Sequence, residues 1–347
     1  LAELGIKGRV RYYGCPAEEG GAAKTFMVRE GLFDDVDAAI SWHPATFTAV
    51  NEARSLANTR IDFTFHGRAA HAAGAPELGR SALDAIELMN VGINYMREHM
   101  PDDARVHYAY LDAGGIAPNV VQAKATVRQL IRARNLKELH GLIERVHKIA
   151  EGAALMSETR VETRVVSGVS NLIGNRPMEE TMQRHLDRLG APDFDEADRE
   201  FANKIRATLS EDNITVSFRR IGMEVDPDLV LCDFVAPLDR KSDGGEGSTD
   251  VGDVSWAVPT VQVRVATCAV GTPFHTWQLT AQGKMPAAHK GMTHAAKIIA
   301  GTAIDLFEDE SLLQSAIEAH RVKLEKDPYA CPIPDGVAPP LKAMSNQ

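Results

Sequence analysis

The stretch TRIDFTFH at residues 59–66 alternates polar and apolar side chains, as a half-buried β-strand does. A helix that Ser81 can cap follows it, and then come two strands separated by a Gly-Gly turn. Asn135 can cap a second helix, and a last strand covers residues 161–166. The order β-α-β-β-α-β is that of the split, ferredoxin-like arrangement. We therefore predict a complete small domain at residues 59–172.

The residues on either side predict a larger domain into which the small one is inserted. Residues 10–13 and 37–42 have the composition of short buried strands, with a helix-compatible run between them. This order favours a mainly parallel sheet, and the carboxyl ends of its strands usually carry the functional site. Further helices and one Val-rich strand are predicted at residues 177–189, 196–209, 260–266, 289–307 and 310–324.

The predicted fold class is therefore α/β. We expect residues 1–58 and 173–347 to form a mixed, mainly parallel sheet flanked by helices. The inserted region, residues 59–172, is expected to be a ferredoxin-like α+β (βαββαβ) domain.

Composition restricts the kinds of partner. The 347 residues are 44% hydrophobic and 25% charged, with a formal net charge of −10, which is typical of a soluble globular protein. An acidic chain is a poor match for nucleic acid or an anionic membrane, because both attract basic surfaces. We therefore expect a small molecule or a second copy of the chain as partner.

The cysteines and the start of the chain bear on its location. Four cysteines without paired spacing indicate a reducing compartment, and we expect the cytoplasm. No apolar run is long enough to span a bilayer, and no signal peptide is visible. The chain opens at Leu1 and soon enters a predicted strand, so we expect the true N-terminus to lie upstream.

The residue pair Glu18-Glu19 stands in a glycine-bounded turn after the first predicted strand. Neighbouring side chains on a turn can face one site, so one carboxylate could hold a metal ion while the other moves a proton. Alone the pair is weak evidence, because most such pairs are solvated surface charge.

Five motifs in one order extend the interpretation. They are PAEEGG at 16–21, HP at 43–44, FHGRAAHAA at 65–73, APNVV at 117–121 followed by IR at 131–132, and GTPFH at 271–275. This order resembles the di-metal amidohydrolase and peptidase superfamily that contains aminoacylases, indole-acetyl-amino-acid hydrolases and p-aminobenzoyl-glutamate hydrolases. The resemblance covers nearly the whole chain. It implies that the inserted domain pairs two subunits and that the larger domain is catalytic.

The resemblance implies roles for the acidic pair and two histidines. Glu18 corresponds to the general base, and Glu19, His43 and His275 correspond to metal ligands. Carboxylate and imidazole suit Zn²⁺ or Mn²⁺, and two divalent ions would hold the attacking water and the scissile carbonyl together. Either histidine alone would more often be a hydrogen-bonded loop residue than a ligand.

The resemblance also implies residues that contact the substrate. His71 corresponds to a histidine that reaches across a dimer to stabilise the oxyanion, so a homodimer through the inserted domain is expected. Asn119 and Arg132 correspond to residues that grip the substrate carboxylate. Other roles stay open: His71 as a cap or core residue, Asn119 as a turn residue, and Arg132 as a strand-face cation that Arg134 could replace.

Two departures from the family pattern shape the functional expectation. Relatives supply further ligands from a Cys-x-His segment upstream of the paired glutamates, and no such segment is present here. We therefore expect this chain alone to be inactive or poorly metallated. The run NVVQ at 119–122 resembles the aminobenzoyl-glutamate branch, which implies hydrolysis of the amide between an aromatic acyl group and glutamate.

Two alternatives to that expectation stay open. One is a dipeptidase or general N-acyl-amino-acid amidohydrolase on the same scaffold. The other is a non-catalytic dimeric binding protein.

Overall fold

The computed structural model describes residue 3, residues 5–242 and residues 247–341. Its strands are β1 (Ala39–Ala45), β2 (Ala49–Val50), β3 (Ala57–His66), β4 (Arg105–Asp112), β5 (Lys124–Ala133), β6 (Arg160–Val169) and β7 (Thr260–Ala266). Its α-helices are α1 (Ala23–Arg29), α2 (Ala82–Met96), α3 (Leu136–Met156), α4 (Arg176–Leu189), α5 (Glu196–Arg206), α6 (Glu211–Ile221), α7 (Val251–Ala257), α8 (Trp277–Gln282), α9 (Pro286–Glu308) and α10 (Glu310–Lys326).

Strands β3 to β6 and helices α2 and α3 confirm the predicted β-α-β-β-α-β order. The strands form one antiparallel sheet in the order β4-β5-β3-β6. Ile61, Phe63 and Phe65 are fully buried against the two helices. On the opposite face Asp62 forms ion pairs with Arg128 and Arg164. Alternation along β3 therefore separates a core face from a charged face.

The predicted helix starts of this region are also confirmed. The Ser81 hydroxyl accepts a hydrogen bond from the Asp84 backbone N–H at 3.0 Å. The Asn135 side chain accepts one from the Glu138 backbone N–H at 2.9 Å. Each contact satisfies one backbone donor that the first helical turn leaves unpaired.

The remaining strands form a three-stranded mixed sheet in the order β1-β7-β2. β1 pairs with β7 in parallel over seven residue pairs, and β2 adds two antiparallel pairs at the other edge of β7. Helices α4 and α9 pack on this sheet, and α10 packs on both helices. The sheet is thus mixed and mainly parallel, as predicted.

The predicted strand at residues 10–13 is wrong. The chain there is irregular, with Val10 and Tyr12 exposed, while Arg11 forms an ion pair with Asp35. A strand needs a neighbouring backbone to bond with, and among the described residues this stretch has none. The paired glutamates still lie in a turn, but no strand leads into it.

The neighbouring predictions differ in detail. β1 extends to Ala45, so His43 and Pro44 lie inside the strand's last three residues rather than beyond it. Helices α6, α7 and α8 were not expected from the sequence. None of the helices in the described part of the chain has the length and apolar composition that crossing a bilayer would need.

Candidate active site

The turn that carries Glu18 and Glu19 is closed by one carbonyl. The Ala17 carbonyl oxygen accepts hydrogen bonds from the backbone N–H groups of Gly20, Gly21 and Ala22. Ala17 and Ala22 adopt left-handed backbone conformations, with φ of 56° and 53°. Such conformations are costly for residues with a side chain and often accompany functional sites.

Arg60 of β3 holds this turn from the other side. Its guanidinium donates hydrogen bonds to the carbonyl oxygen of Gly20 at 2.7 Å and to that of Glu19 at 3.1 Å. The first strand of the inserted region is therefore bonded directly to the acidic turn. Sequence reasoning missed Arg60, although a charged residue at the start of a strand that enters a core was the available signal.

Glu19 and His275 come together from opposite ends of the sequence. The Glu19 Oε2 atom lies 3.6 Å from His275 Nε2, and both side chains are exposed. His275 follows β7 in a turn and has a φ of 61°, a left-handed conformation that is rare for histidine. The parallel pairing of β1 with β7 is what brings this turn beside His43.

His43 is presented in the form that a metal ligand requires. Its Nδ1–H donates to the Pro44 carbonyl oxygen at 2.6 Å, which leaves the Nε2 lone pair free. Burial lowers the pKa of His43, and the neighbouring Arg264 lowers it further. The ring is therefore neutral near pH 7. It packs near the ring of Phe274, the residue before His275.

Glu18 is half-buried and has a different environment from Glu19. Burial raises the pKa of Glu18, while a hydrogen bond from the Thr249 hydroxyl opposes that rise. Asp250, fully buried, raises the Glu18 pKa as well, and Lys24 Nζ pairs with Asp250 Oδ1 at 2.7 Å. Sequence reasoning missed Lys24, Thr249 and Asp250. For Thr249 and Asp250, the polar run between the glycine-rich segment and a Val-rich strand was a signal.

The side chains that could coordinate a metal fit a divalent ion, but they are few. Glu19 and His275 form a carboxylate–imidazole pair, and the charges of both act on His43. These are the ligand types that Zn²⁺ and Mn²⁺ accept. Within the described ranges, however, no three His, Cys, Asp or Glu side chains are grouped so that they could hold an ion.

Two adjacent residues, Ser248 and Thr249, link Arg132 to Glu18 by side-chain hydrogen bonds. Its Nη1 donates to the Ser248 hydroxyl at 2.8 Å, and Ser248 precedes Thr249, the hydrogen-bond donor to Glu18. Burial and the charge of Arg60 both lower the Arg132 pKa. Arg134 instead pairs with Asp103 at 2.5 Å.

His71 and Asn119 form a separate group at the other end of the sheet. The Asn119 carbonyl accepts from the Ala72 N–H, and His71 forms an isolated bridge with Val120. The His71 Nδ1 accepts from two backbone N–H groups, so the proton of the neutral ring is on the exposed Nε2.

The distance between the two groups follows from strand geometry. Lys124 and Arg132 are eight residues apart on β5, which corresponds to about 27 Å. Beyond the Lys124 end of β5 the backbone pairing continues toward His71. The Gly67 N–H donates to the Ala123 carbonyl, and the Val121 N–H donates to the Ala70 carbonyl. The structure therefore does not bring His71 and Asn119 together with Glu18, Glu19, His43, His275 and Arg132 in one chain.

Comparison with known proteins gives concordant matches. A family model described as the peptidase dimerisation domain matches residues 51–156. A p-aminobenzoyl-glutamate hydrolase subunit from Escherichia coli is 47% identical over 99% of this chain and 73% of its own length. An Xaa-Arg dipeptidase from Mus musculus is 26% identical over 92% of this chain and 64% of its own length.

Solved structures show a similar fold. An aminobenzoyl-glutamate utilization protein from Klebsiella pneumoniae aligns with a TM-score of 0.53 and 22% identity, over 84% of this chain and 60% of that one. A dinuclear metal-binding peptidase of the M20 family from Bacillus subtilis aligns with a TM-score of 0.50 and 15% identity, over 84% and 64%. The chain thus spans between three fifths and three quarters of these relatives.

Proposed function

The chain belongs to the M20 family of metal-dependent peptidases and amidohydrolases, and on that premise we propose that it hydrolyses N-acyl amino acids, most specifically p-aminobenzoyl-glutamate, to p-aminobenzoate and glutamate. The observation that carries the proposal is the pair of unlike carboxylates in one turn. Glu19 faces His275 at 3.6 Å, while Glu18 is half-buried with a raised pKa. A ligand and a base need these two different environments.

We assign the metal-binding role to Glu19, His43 and His275. Two divalent ions, either Zn²⁺ or Mn²⁺, would polarise the scissile carbonyl and lower the pKa of the attacking water. The free Nε2 of His43 supplies a neutral imidazole lone pair, and the exposed His275 ring supplies a second imidazole beside Glu19. Ligands beyond the described residues would complete the set.

We assign proton transfer to Glu18. Its carboxylate takes a proton from the attacking water and returns it to the leaving amine nitrogen, so the amide C–N bond breaks and water is added across it. The raised pKa serves the second half of this cycle, because a carboxylic acid of ordinary acidity is a poor proton donor near neutral pH.

Arg132 is assigned to the substrate carboxylate. Its guanidinium is half-buried, bonded to a neutral hydroxyl rather than to an acid, and separated from Glu18 only by Ser248 and Thr249. A planar guanidinium can bind a carboxylate through two parallel hydrogen bonds.

His71 and Asn119 are assigned to the site of a second subunit. Arg132 lies about 27 Å along β5 from Lys124, and His71 and Asn119 lie beyond the Lys124 end, so we place them away from a substrate that Arg132 holds in the same chain. The exposed Nε2–H of His71 is a donor suited to a developing oxyanion. Asn119 would add an amide donor next to it.

One exposed edge supports a homodimer through the inserted domain, which we place at residues 59–172. β4 is an edge strand, and almost all of its side chains are exposed. Long apolar edge strands are usually covered by another chain. The exposed apolar side chains on β4 and the adjoining α2 are Tyr108, Tyr110, Leu111, Leu88, Val91 and Tyr95. One relative is named as a subunit of a hydrolase. A dimer between this chain and a different chain is therefore the outcome that would contradict the homodimer.

We also propose a cytoplasmic location. Cys15, Cys232, Cys268 and Cys331 are all free thiols, as is usual in a reducing compartment.

Replacing Glu18 by glutamine tests the enzyme assignment. In the full-length, metal-loaded protein we expect the E18Q change to lower kcat for p-aminobenzoyl-glutamate about 10²- to 10⁴-fold, because the base is lost. Metal content and sedimentation should stay unchanged, and E30Q on the exposed end of α1 is the matched control. Unchanged turnover would contradict the role, and absence of any turnover in the wild type would favour a binding protein.

A substrate panel tests the specificity. We expect p-aminobenzoyl-glutamate to be cleaved faster than N-acetyl amino acids and faster than a dipeptide that ends in arginine. The reverse order would replace the proposal with a general amidohydrolase or a dipeptidase.

A further inference from the structure

A cavity of about 1110 Å³ opens on the far side of Arg132, between the inserted sheet and the larger domain. Five arginines line it: Arg54, Arg105, Arg132, Arg134 and Arg220. His107 joins them, and Asp103 is the acidic residue of the lining. A cavity of this size slightly exceeds the range for sites that hold whole drug-sized ligands, roughly 300–1,000 Å³.

Two of these arginines already have acidic partners. Arg134 pairs with Asp103, and Arg54 has Glu52 and Ser242 among its partners. Within the described residues, Arg105, Arg132 and Arg220 form no ion pair. The Arg105 guanidinium bonds to backbone carbonyls, and that of Arg132 bonds to the Ser248 hydroxyl. Among the described residues, three positive charges of the cavity lining therefore have no carboxylate paired with them.

The sheet places two of these charges directly opposite each other. Arg105 of β4 and Arg132 of β5 are Cα partners in the antiparallel pairing. Like charges at opposed positions on a sheet repel each other. His107, two residues along the same face, has its pKa lowered by burial and by Arg132, Arg97 and Arg105. An anion in the cavity would relieve the repulsion at all of these groups.

The two carboxylates of p-aminobenzoyl-glutamate do not account for this arrangement. With one carboxylate at Arg132 and the other at Arg105 or Arg220, one positive charge still has no partner, and Arg220 comes from α6 in the larger domain. We propose that the cavity receives an acidic chain attached to the amine-side residue of the substrate. The substrate class then includes N-acyl-glutamates extended by further carboxylates, beyond the single glutamate of p-aminobenzoyl-glutamate.

The chemistry also favours one way of attaching that chain. Arg132 can grip the carboxylate next to the scissile amide only if that carboxylate is free. Extension through the side-chain carboxyl, as in a γ-linked glutamyl chain, leaves it free, whereas extension through the α-carboxyl converts it to an amide. The reaction is unchanged: water adds to the acyl carbon, and the amine nitrogen leaves with the whole acidic chain.

This inference rests on the proposed function, and the experiment separates the two. Full-length, metal-loaded enzyme is assayed with p-aminobenzoyl-glutamate and with its γ-linked di- and triglutamate forms. We expect KM to fall several-fold with each added carboxylate, and the gain to weaken at high salt because exposed charges are screened. An amidated tail of equal length should bring no gain.

Substitutions locate the effect. R220M and R105M should abolish the gain from the tail while changing kcat/KM for p-aminobenzoyl-glutamate less than two-fold. R219M, the preceding residue of α6, removes the same charge outside the cavity and should behave like the wild type. Calorimetric titration with free γ-linked triglutamate gives a readout without turnover, and binding should weaken in R220M but not in R219M.

Three outcomes are decisive. Cleavage of p-aminobenzoyl-glutamate with no preference for the tail overturns the acidic-chain inference and leaves the proposed function intact. A tail preference that survives in both R105M and R220M also overturns it. No cleavage of any of these amides, together with no binding of triglutamate, overturns both.

Discussion

At the scale of single residues, Arg60 connects the inserted region to the acidic turn. One guanidinium spans the carbonyl oxygens of Glu19 and Gly20, at 3.1 and 2.7 Å. Hydrogen bonds from a charged donor are about twice as strong as neutral ones. The orientation of the Glu18 and Glu19 side chains therefore depends on a residue about 40 positions away, which is itself held on a fully paired strand.

Replacing Arg60 by methionine should loosen that turn. Because misplacing catalytic groups by about 1 Å can cost about 100-fold in rate, we expect kcat/KM to fall roughly 10- to 100-fold in R60M while the dimer persists. R60K should be intermediate, since an ammonium cannot reproduce the flat two-pronged contact. Steady-state kinetics and sedimentation measure these effects.

The matched control is R164M on edge strand β6, where the exposed Arg164 pairs with Asp62 and lies away from the turn. It should leave turnover within about two-fold, as surface changes usually do. Equal losses in R60M and R164M would mean that charge on the sheet, and not the contact with the turn, is what matters.

At the scale of elements, the seven-residue helix α7 begins directly after Asp250, the buried acid near Glu18. Its fully buried Asp253 accepts hydrogen bonds from the Thr25 hydroxyl of α1, from the Ser170 N–H and hydroxyl after β6, and from the Tyr329 hydroxyl. Burial nevertheless raises the pKa of Asp253 to about 6, with the Ser170 and Thr25 hydrogen bonds opposing the rise. Three separate segments are thus joined at one carboxyl group.

The raised pKa of Asp253 predicts a pH dependence of stability. Between pH 4 and 6 the folded protein holds a proton that the unfolded chain, with an ordinary pKa of 3.8, has released. The free energy of unfolding should therefore decrease as pH rises through this window, by about 3 kcal/mol from this group. In D253N that contribution is absent, and urea unfolding of both proteins from pH 4 to 7 measures the difference.

Asp239 supplies a control of opposite sign. Its exposed carboxylate has a pKa lowered by the hydrogen bond from Arg176, so its contribution is lost as pH falls. D239N should therefore change the acid side of the curve and leave the slope between pH 4 and 6 nearly unaltered. Parallel curves for wild type and D253N would show that Asp253 does not titrate in this window.

The sequence predicted the elements that local interactions stabilise and missed those that need contacts with distant parts of the chain. The strand β3 and the caps at Ser81 and Asn135 depend on alternation and on hydrogen bonds within three residues, which the sequence contains. Helix α7 is buried over six of its seven residues, so it lacks the one-sided apolar pattern that marks a helix. Residues 10–13 have strand composition, but a strand also requires a neighbour.

At the scale of the whole molecule, the residues that we propose for one site form two groups that lie apart in the chain. Glu18, Glu19, His43, His275 and Arg132 gather at one end of the inserted sheet. His71 and Asn119 lie beyond the opposite end. A two-fold axis through the exposed edge strand β4 would bring the second group of one chain toward the first group of its partner, as expected for a closed symmetric dimer.

Mixing two inactive variants tests this geometry. E18Q lacks the base but offers a normal His71, while H71A keeps the base and lacks the donor. After joint refolding or subunit exchange, half of the dimers should be mixed, each with one complete site, and so restore about a quarter of wild-type activity. Turnover of p-aminobenzoyl-glutamate measures the recovery.

Mixing E18Q with a double variant that carries both changes is the matched control, and it should stay inactive because no chain then keeps the base. If E18Q and H71A also stay inactive after mixing, although mixed dimers form, then His71 does not serve the partner's site.

The sequence by itself determined the α/β class and the βαββαβ insertion, because periodicity and capping are local properties of the chain, and the order of its motifs named the candidate site residues. Only the tertiary structure decided which of those groups stand together. Glu19 meets His275 across 256 positions (275 − 19) because β1 and β7 pair in parallel, and Arg132 reaches Ser248 because the inserted sheet rests against the larger domain. Such contacts depend on how elements stack, and stacking is set by burial over the whole molecule rather than by neighbouring residues.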